Sequence, residues 1–122
     1  MMHINSGRKE EFIDITDKVA EHARGEGMLL VYCPHTTAGL TINEGHDPDV
    51  RTDILNALER IVPELNFGHS EGNSPAHIKA TIVGSSVLVP VKEGKLQLGT
   101  WQRIFFCEFD GPRERMVIVQ RL

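Results

Sequence analysis

Hydrophobic and polar positions divide this chain into short elements before any other property is considered. Glu11 to Ile15 sets Phe12 and Ile15 among polar residues and predicts a short first strand. Thr16 then reads as the cap of a short helix over Asp17 to Arg24, which Gly25 stops. Met28 to Cys33 is apolar without interruption and predicts a buried strand, broken by Pro34. Gly39 to Asn43 predicts a second strand paired nearby. The clearest periodicity follows: Val50, Ile54, Leu58 and Ile61 recur at helical spacing, with Leu55 and Val62 beside them. Asp47 suits the cap of that helix, Pro48 its first position, and Pro63 its end.

Asn66 to Pro75 is dense in turn formers and predicts a loop. Ala76 to Val83 sets Ile78, Ala80 and Ile82 on one parity and His77, Lys79 and Thr81 on the other, the pattern of a half-buried strand. Ser86 to Val91 predicts the next strand, and Lys92-Glu93-Gly94-Lys95 a hairpin turn into Leu96 to Leu98. Gln102 to Phe109 is apolar on both parities in its middle, as in a central strand covered on both faces. Asp110-Gly111-Pro112 then turns the chain into a last strand at Met116 to Val119. Many strands, short turns and one main helix predict an α+β fold dominated by an antiparallel sheet or sandwich. Met1 to Arg8 reads as a polar tail.

Composition narrows the function classes. At 122 residues the chain is expected to form a single domain over 1–122. Thirteen basic against seventeen acidic side chains give a net charge of −4, without the basic surplus that phosphate-backbone binding requires, so no nucleic-acid partner is expected. No apolar run approaches the roughly 18–20 residues of a membrane span, and the first residues hold no signal-peptide segment. A cytoplasmic protein is the expectation. Cys33 and Cys107 form no CxxC pair and are expected as reduced thiols in strands.

Six histidines carry the candidate chemistry. His3 and His22 suit a tail and a surface helix, and His46 the entry to the main helix. His35 lies at the break in a buried strand, while His69 and His77 bracket the turn-rich segment. Three neutral imidazoles with one open position make a catalytic zinc site. None of the three pairs has helical i, i+4 spacing, so the alternative, each ring separately hydrogen-bonded or exposed, stands beside it. Asp47 reads as a cap, whereas Glu44 suits a general base or a partner that orients a ligand histidine. Lys79, Lys92, Arg51 and Arg103 are candidates to neutralise an anion, with solvated surface as the plain alternative. Trp101 suits the core or a subunit interface, and Cys33 an inert buried thiol.

Taken together, Pro34-His35-Thr36-Thr37-Ala38-Gly39-Leu40-Thr41-Ile42-Asn43-Glu44, the Asp47-Pro48 helix start, Pro75-Ala76-His77-Ile78-Lys79-Ala80 and Leu96-Gln97-Leu98-Gly99-Thr100-Trp101-Gln102 resemble the YjbQ family. The similarity runs from about Phe12 to Gln120. The resemblance implies an antiparallel sandwich, a homotrimer, and a histidine pocket able to hold a divalent metal, with His35, His69 and His77 at the matching positions. Some members are described with a weak, secondary thiamine-phosphate synthase activity. Where members commonly carry another histidine shortly before the one matching His77, this chain has Ser74-Pro75-Ala76.

Two expectations follow. One is a metal-dependent enzyme acting on a small phosphorylated metabolite, with His35, His69 and His77 on Zn²⁺, or Mg²⁺ for a phosphate substrate. Glu44 would be its base, and Lys79, Arg51 and Arg103 its substrate-binding cations. The other is a non-catalytic trimer that binds metal or a small anion.

Overall fold

The computed structural model describes residues 1–122. In chain order the elements are β1 (Met2–Asn5), β2 (Glu11–Asp14), α1 (Thr16–Ala20), β3 (Gly27–Tyr32), β4 (Ala38–Glu44), α2 (Pro48–Ile61) and α3 (Ser74–Val83). β5 (Ser86–Lys92), β6 (Lys95–Leu96), β7 (Gln102–Glu108) and β8 (Glu114–Arg121) complete the chain. Every strand pairing is antiparallel, in a five-stranded sheet ordered β1-β8-β3-β5-β6 and a three-stranded sheet ordered β2-β7-β4. The expected α+β sandwich is present. No helix is long and apolar enough to cross a membrane.

Three layers result, because β7 buries both of its faces. Ile104 and Phe106 pack with Leu29, Val31, Val89 and Val117 of the larger sheet, forming the core between the two sheets. Phe105 and Cys107, of opposite parity, pack with Leu58, Ala76 and Ala80 beneath α2 and α3. This double cover is why the sequence of β7 alternates so little. Burial of such apolar area at roughly 25 cal/mol per Å² is the main force holding the layers together.

β3, equally apolar in sequence, is not doubly covered. Leu29 and Val31 are buried, whereas Tyr32 is 42% exposed and Leu88, which pairs with Leu30 from β5, is 51% exposed. The outer face of the five-stranded sheet therefore presents apolar side chains to its surroundings.

Three local expectations are corrected. The segment 76–83, predicted as a strand, makes up all but the first two residues of helix α3. Its inward residues are Ala76, Lys79, Ala80 and Val83, spaced i, i+3, i+4, i+7, while Ile78 and Ile82 face outward. Alternation of small and β-branched residues had concealed the helical period, and Pro75 in the first turn is the signal that favours the helix. The polar tail contains strand β1, whose Met2 and Ile4 are buried against β8. Thr16 begins α1 rather than capping it: its hydroxyl accepts the Ile104 peptide N–H at 2.7 Å, tying α1 to β7.

Other expectations hold. Asp47 Oδ1 accepts the Asp49 N–H at 2.9 Å at the start of α2. Glu93 and Gly94 both have positive φ, as a two-residue hairpin turn requires. Gly39 on β4 lies so close to the end of α3 that an added Cβ would come within 2.5 Å of the Gly84 carbonyl oxygen. That carbonyl accepts the Leu40 N–H at 3.0 Å, fixing the strand to the helix terminus.

Candidate functional site

Pro34 ends β3 because it has no N–H to donate to the sheet. The register pairs Tyr32 with Ile118, so position 34 falls opposite Met116. The His35 side chain takes over where the backbone stops: its Nε2 accepts the Met116 N–H at 2.9 Å and lies 3.2 Å from the Met116 carbonyl oxygen. Burial, reinforced by the positive charge of Arg115, lowers the His35 pKa below the ordinary histidine value.

Beneath this loop lies a buried ion pair. Arg115 Nε donates to Glu108 Oε1 at 2.8 Å, and Nη2 donates to Oε2 of the same carboxylate. Arg115 Nη2 also donates to the Thr37 hydroxyl at 2.8 Å. Glu108 accepts further hydrogen bonds from the Ser6 hydroxyl at 2.7 Å and the Asp110 N–H at 3.1 Å. Burial alone would raise its pKa. The hydrogen bonds from Arg115 and Ser6 outweigh that and hold it below the usual carboxylate value. Sequence reading missed both residues. The available signal was a carboxylate inside an apolar strand, which needs a partner when buried.

The His35 loop, the start of α3 and the segment after β7 border an open cavity of about 340 Å³. His35, Thr36, His77, Asn73, Arg113 and Arg115 are among its lining residues, none of which is hydrophobic. On the other side of His35 and His77 lies a second hollow of about 410 Å³, bounded also by Thr81, Gly84 and Ser85. Arg113 reaches the first cavity from a flexible-stem position, its guanidinium 3.2 Å from Asp110 Oδ2 and half exposed. Asn73 donates to that same Asp110 oxygen at 3.0 Å, while its own Oδ1 is buried without a partner.

The candidate residues are only partly gathered here. His77 stands in the first turn of α3, with the His69 ring edge-on at 5.4 Å between centroids, and His35 shares two cavities with His77. Nowhere do three His, Cys, Asp or Glu side chains converge as a metal ligand set. His35 Nε2 is engaged with Met116, which leaves only Nδ1 of that ring to face the cavity.

Glu44 lies at the far end of β4. Six strand steps at about 3.3 Å separate it from Ala38 beside the histidine loop, roughly 20 Å. Its carboxylate accepts the Asp47 N–H at 2.8 Å, a turn-forming contact at the entry to α2.

The three cations proposed for substrate are engaged elsewhere. Lys79 is 97% buried within a larger cavity of about 600 Å³, where Nζ meets Glu10 and Glu59, each at 2.6 Å. Burial would lower its pKa, but the two carboxylates raise it overall. Arg51 sits over the Phe105 ring at 5.3 Å. Arg103 pairs with Asp14 at 2.7 Å and Asp17 at 3.2 Å, on the surface where the exposed Trp101 lies against His46. Both cysteines are buried and unpaired, and burial raises the Cys33 and Cys107 pKa values.

Comparison with known proteins places these features in a family. The model for the UPF0047 protein YjbQ-like family matches residues 1–122. UPF0047 protein MJ1081 of Methanocaldococcus jannaschii is 49% identical over 96% of this chain and 88% of its own length. UPF0047 protein YugU of Bacillus subtilis is 47% identical, covering 99% and 96%. Among solved structures, a YjbQ/UPF0047 family protein of Clostridium acetobutylicum superposes with a TM-score of 0.96 at 48% identity, covering 99% of this chain and 98% of that one. The hypothetical protein TT1486 of Thermus thermophilus gives a TM-score of 0.92 at 40% identity, with 100% of both chains covered. In sequence and in fold alike, the chain belongs to the YjbQ/UPF0047 family.

Proposed function

We propose that this chain is an enzyme acting on a small phosphorylated metabolite, with the phosphate end of the substrate held between His35, His77 and Arg113. The observation that carries the reading is the 340 Å³ cavity lined entirely by non-hydrophobic residues. Such a lining, which also holds the carboxylates of Glu71 and Asp110, suits a strongly hydrated group and not an apolar ring, and Arg113 would turn from Asp110 to pair with two phosphate oxygens at once. In a thiamine-phosphate synthase reaction, the nitrogen of a thiazole phosphate attacks the methylene carbon of a pyrimidine diphosphate. The carbon–oxygen bond breaks, and pyrophosphate leaves with the electron pair. Arg113 and the two imidazoles would stabilise that departing charge. No step is routed through a metal.

A homotrimer in the cytoplasm belongs to the same proposal. The exposed apolar face around Tyr32 and Leu88 supports association with further copies, and two unpaired buried cysteines suit a reducing compartment. A second reading, the non-catalytic binder of a metal or anion, is favoured by one observation: the carboxylate expected as a base, Glu44, stands at the opposite end of β4.

Calorimetric titration with inorganic pyrophosphate tests the anion site. Binding that weakens about tenfold or more in Arg113→Ala supports it, the loss of a hydrogen bond to a charged group being worth about 1.5–3 kcal/mol. No binding, or binding indifferent to Arg113, overturns it. Turnover of a pyrimidine diphosphate with thiazole phosphate, monitored by pyrophosphate release, separates the enzyme from the binder. Elemental analysis completes the set: near one Zn²⁺ per chain, lost in His77→Ala, would replace the metal-free reading.

A further inference from the structure

We propose that His35 serves the cavity as a hydrogen-bond donor through Nδ1–H and is not a metal ligand, because the Met116 peptide N–H occupies its Nε2 lone pair. The inference deepens the anion-site reading and rests on it for the identity of the acceptor, a phosphate oxygen.

The tautomer follows from the sheet. Met116 directs both its N–H and its C=O toward the side of β8 where β3 has ended, and no backbone hydrogen bond joins it to Pro34. The His35 ring fills the gap at 2.9 Å from the Met116 nitrogen. A proton on Nε2 would point at the Met116 N–H across this distance and leave that donor unpaired. The Met116 N–H is partly buried, and an N–H away from water is orphaned more rarely than a carbonyl oxygen with spare acceptor capacity. The N–H bond therefore decides in favour of the bare Nε2, although Nε2 is also 3.2 Å from the Met116 carbonyl oxygen. A neutral imidazole with Nε2 bare carries its proton on Nδ1.

All of the ring's hydrogen-bonding contacts within the chain lie at Nε2, so Nδ1–H is left for the surroundings. Those surroundings are the two hollows that His35 shares with His77. Arg115, fixed behind the loop by Glu108 and Thr37, disfavours a second proton on the ring. The result is a rigid neutral donor facing a polar cavity, the arrangement that stabilises an oxyanion without moving a proton. Coordination of a metal at Nδ1 would require the ring proton to move to Nε2, and the Met116 N–H would then lose its acceptor.

The test is nitrogen-detected NMR of the full chain with ¹⁵N-labelled histidine, titrated separately with inorganic pyrophosphate and with Zn²⁺. The expected result is an Nδ1–H, bare-Nε2 coupling pattern for His35, an Nδ1–H proton shifted by pyrophosphate, and ring nitrogens unmoved by Zn²⁺. An Nε2–H pattern, or a Zn²⁺-induced shift of the His35 nitrogens, overturns the proposal whatever the anion does. Pyrophosphate that shifts His77 while leaving His35 unmoved overturns the donor role and leaves the anion site standing. No response to pyrophosphate anywhere removes the anion site and the donor role together, even with the expected tautomer. Substitution gives a second readout. His35→Asn places an amide near the Nδ1 position and keeps pyrophosphate affinity, whereas His35→Gln reaches only the Nε2 position and loses about tenfold. Equal affinity in the two variants overturns the assignment.

Discussion

Arg115, on the five-stranded sheet, grips Glu108, on the three-stranded sheet, so a single buried ion pair bridges the two halves of the sandwich. Both side chains are almost wholly buried, and every oxygen of the carboxylate is hydrogen-bonded. Because removing one partner strands the other charge away from water, Arg115→Met is expected to cost about 3–5 kcal/mol. Replacing both with apolar residues of similar volume, Arg115→Met with Glu108→Leu, should recover much of that loss. Urea denaturation of the single and double variants measures the difference, and additive losses would show that no coupling exists.

The same pair gives stability an acid limit. The folded pKa of Glu108 lies below its ordinary value near 4.5, so the unfolded chain binds the proton more readily. Its contribution is complete above about pH 4.5 and is lost as pH falls through the depressed folded value. Denaturation midpoints taken from pH 6 down to pH 3 should fall more steeply in the parent than in Glu108→Gln.

Lys79 acts in the opposite direction. Its folded pKa lies above 10.5, so its contribution is full below that value and is lost as pH rises through the raised one. Lys79→Met leaves Glu10 and Glu59 facing each other and should cost about 1–2 kcal/mol near neutrality, a modest figure because Glu59 is largely exposed. Thermal melts at pH 7 and pH 11 should show a smaller alkaline loss in the variant than in the parent.

Gly39 is required by the close approach of β4 to the end of α3. Gly39→Ala drives a methyl group against the Gly84 carbonyl oxygen and should destabilise by about 1–3 kcal/mol. Gly68→Ala is the matched control: its added Cβ meets nothing within 4 Å, and its midpoint should barely move.

Asp47→Ala removes the side-chain acceptor for the Asp49 N–H and should cost about 1 kcal/mol, with Asp47→Asn close to neutral. Chemical denaturation of the pair checks this, and equal losses in both would exclude a capping role.

The sequence by itself determined the elements whose pattern reports local geometry. The helical period of α2 through Ile54, Leu58 and Val62, the Asp47 cap, the Glu93-Gly94 turn and the doubly covered β7 were legible there, although Ile61, read on the same stripe, is exposed. Each depends on neighbours a few residues away or on a long apolar run. The segment 76–83 was not legible as a helix, since Ile78, Ala80 and Ile82 satisfy a two-residue period as readily as Ala76, Ala80 and Val83 satisfy a helical one. Pro75 leans toward the helix, and packing against Phe105 and Leu58 decides it.

The site divides in the same way. His35 and His77 were identifiable because imidazoles at a strand break and beside a turn-rich loop, within motifs resembling a family's, are few in so short a chain. Their shared cavity, the capture of Lys79 by Glu10 and Glu59, and the Arg115–Glu108 bridge were decided by tertiary structure. Charge is a property of one residue, but the partner that neutralises it stands across a sheet or on another helix. Composition and spacing carry no record of that distance.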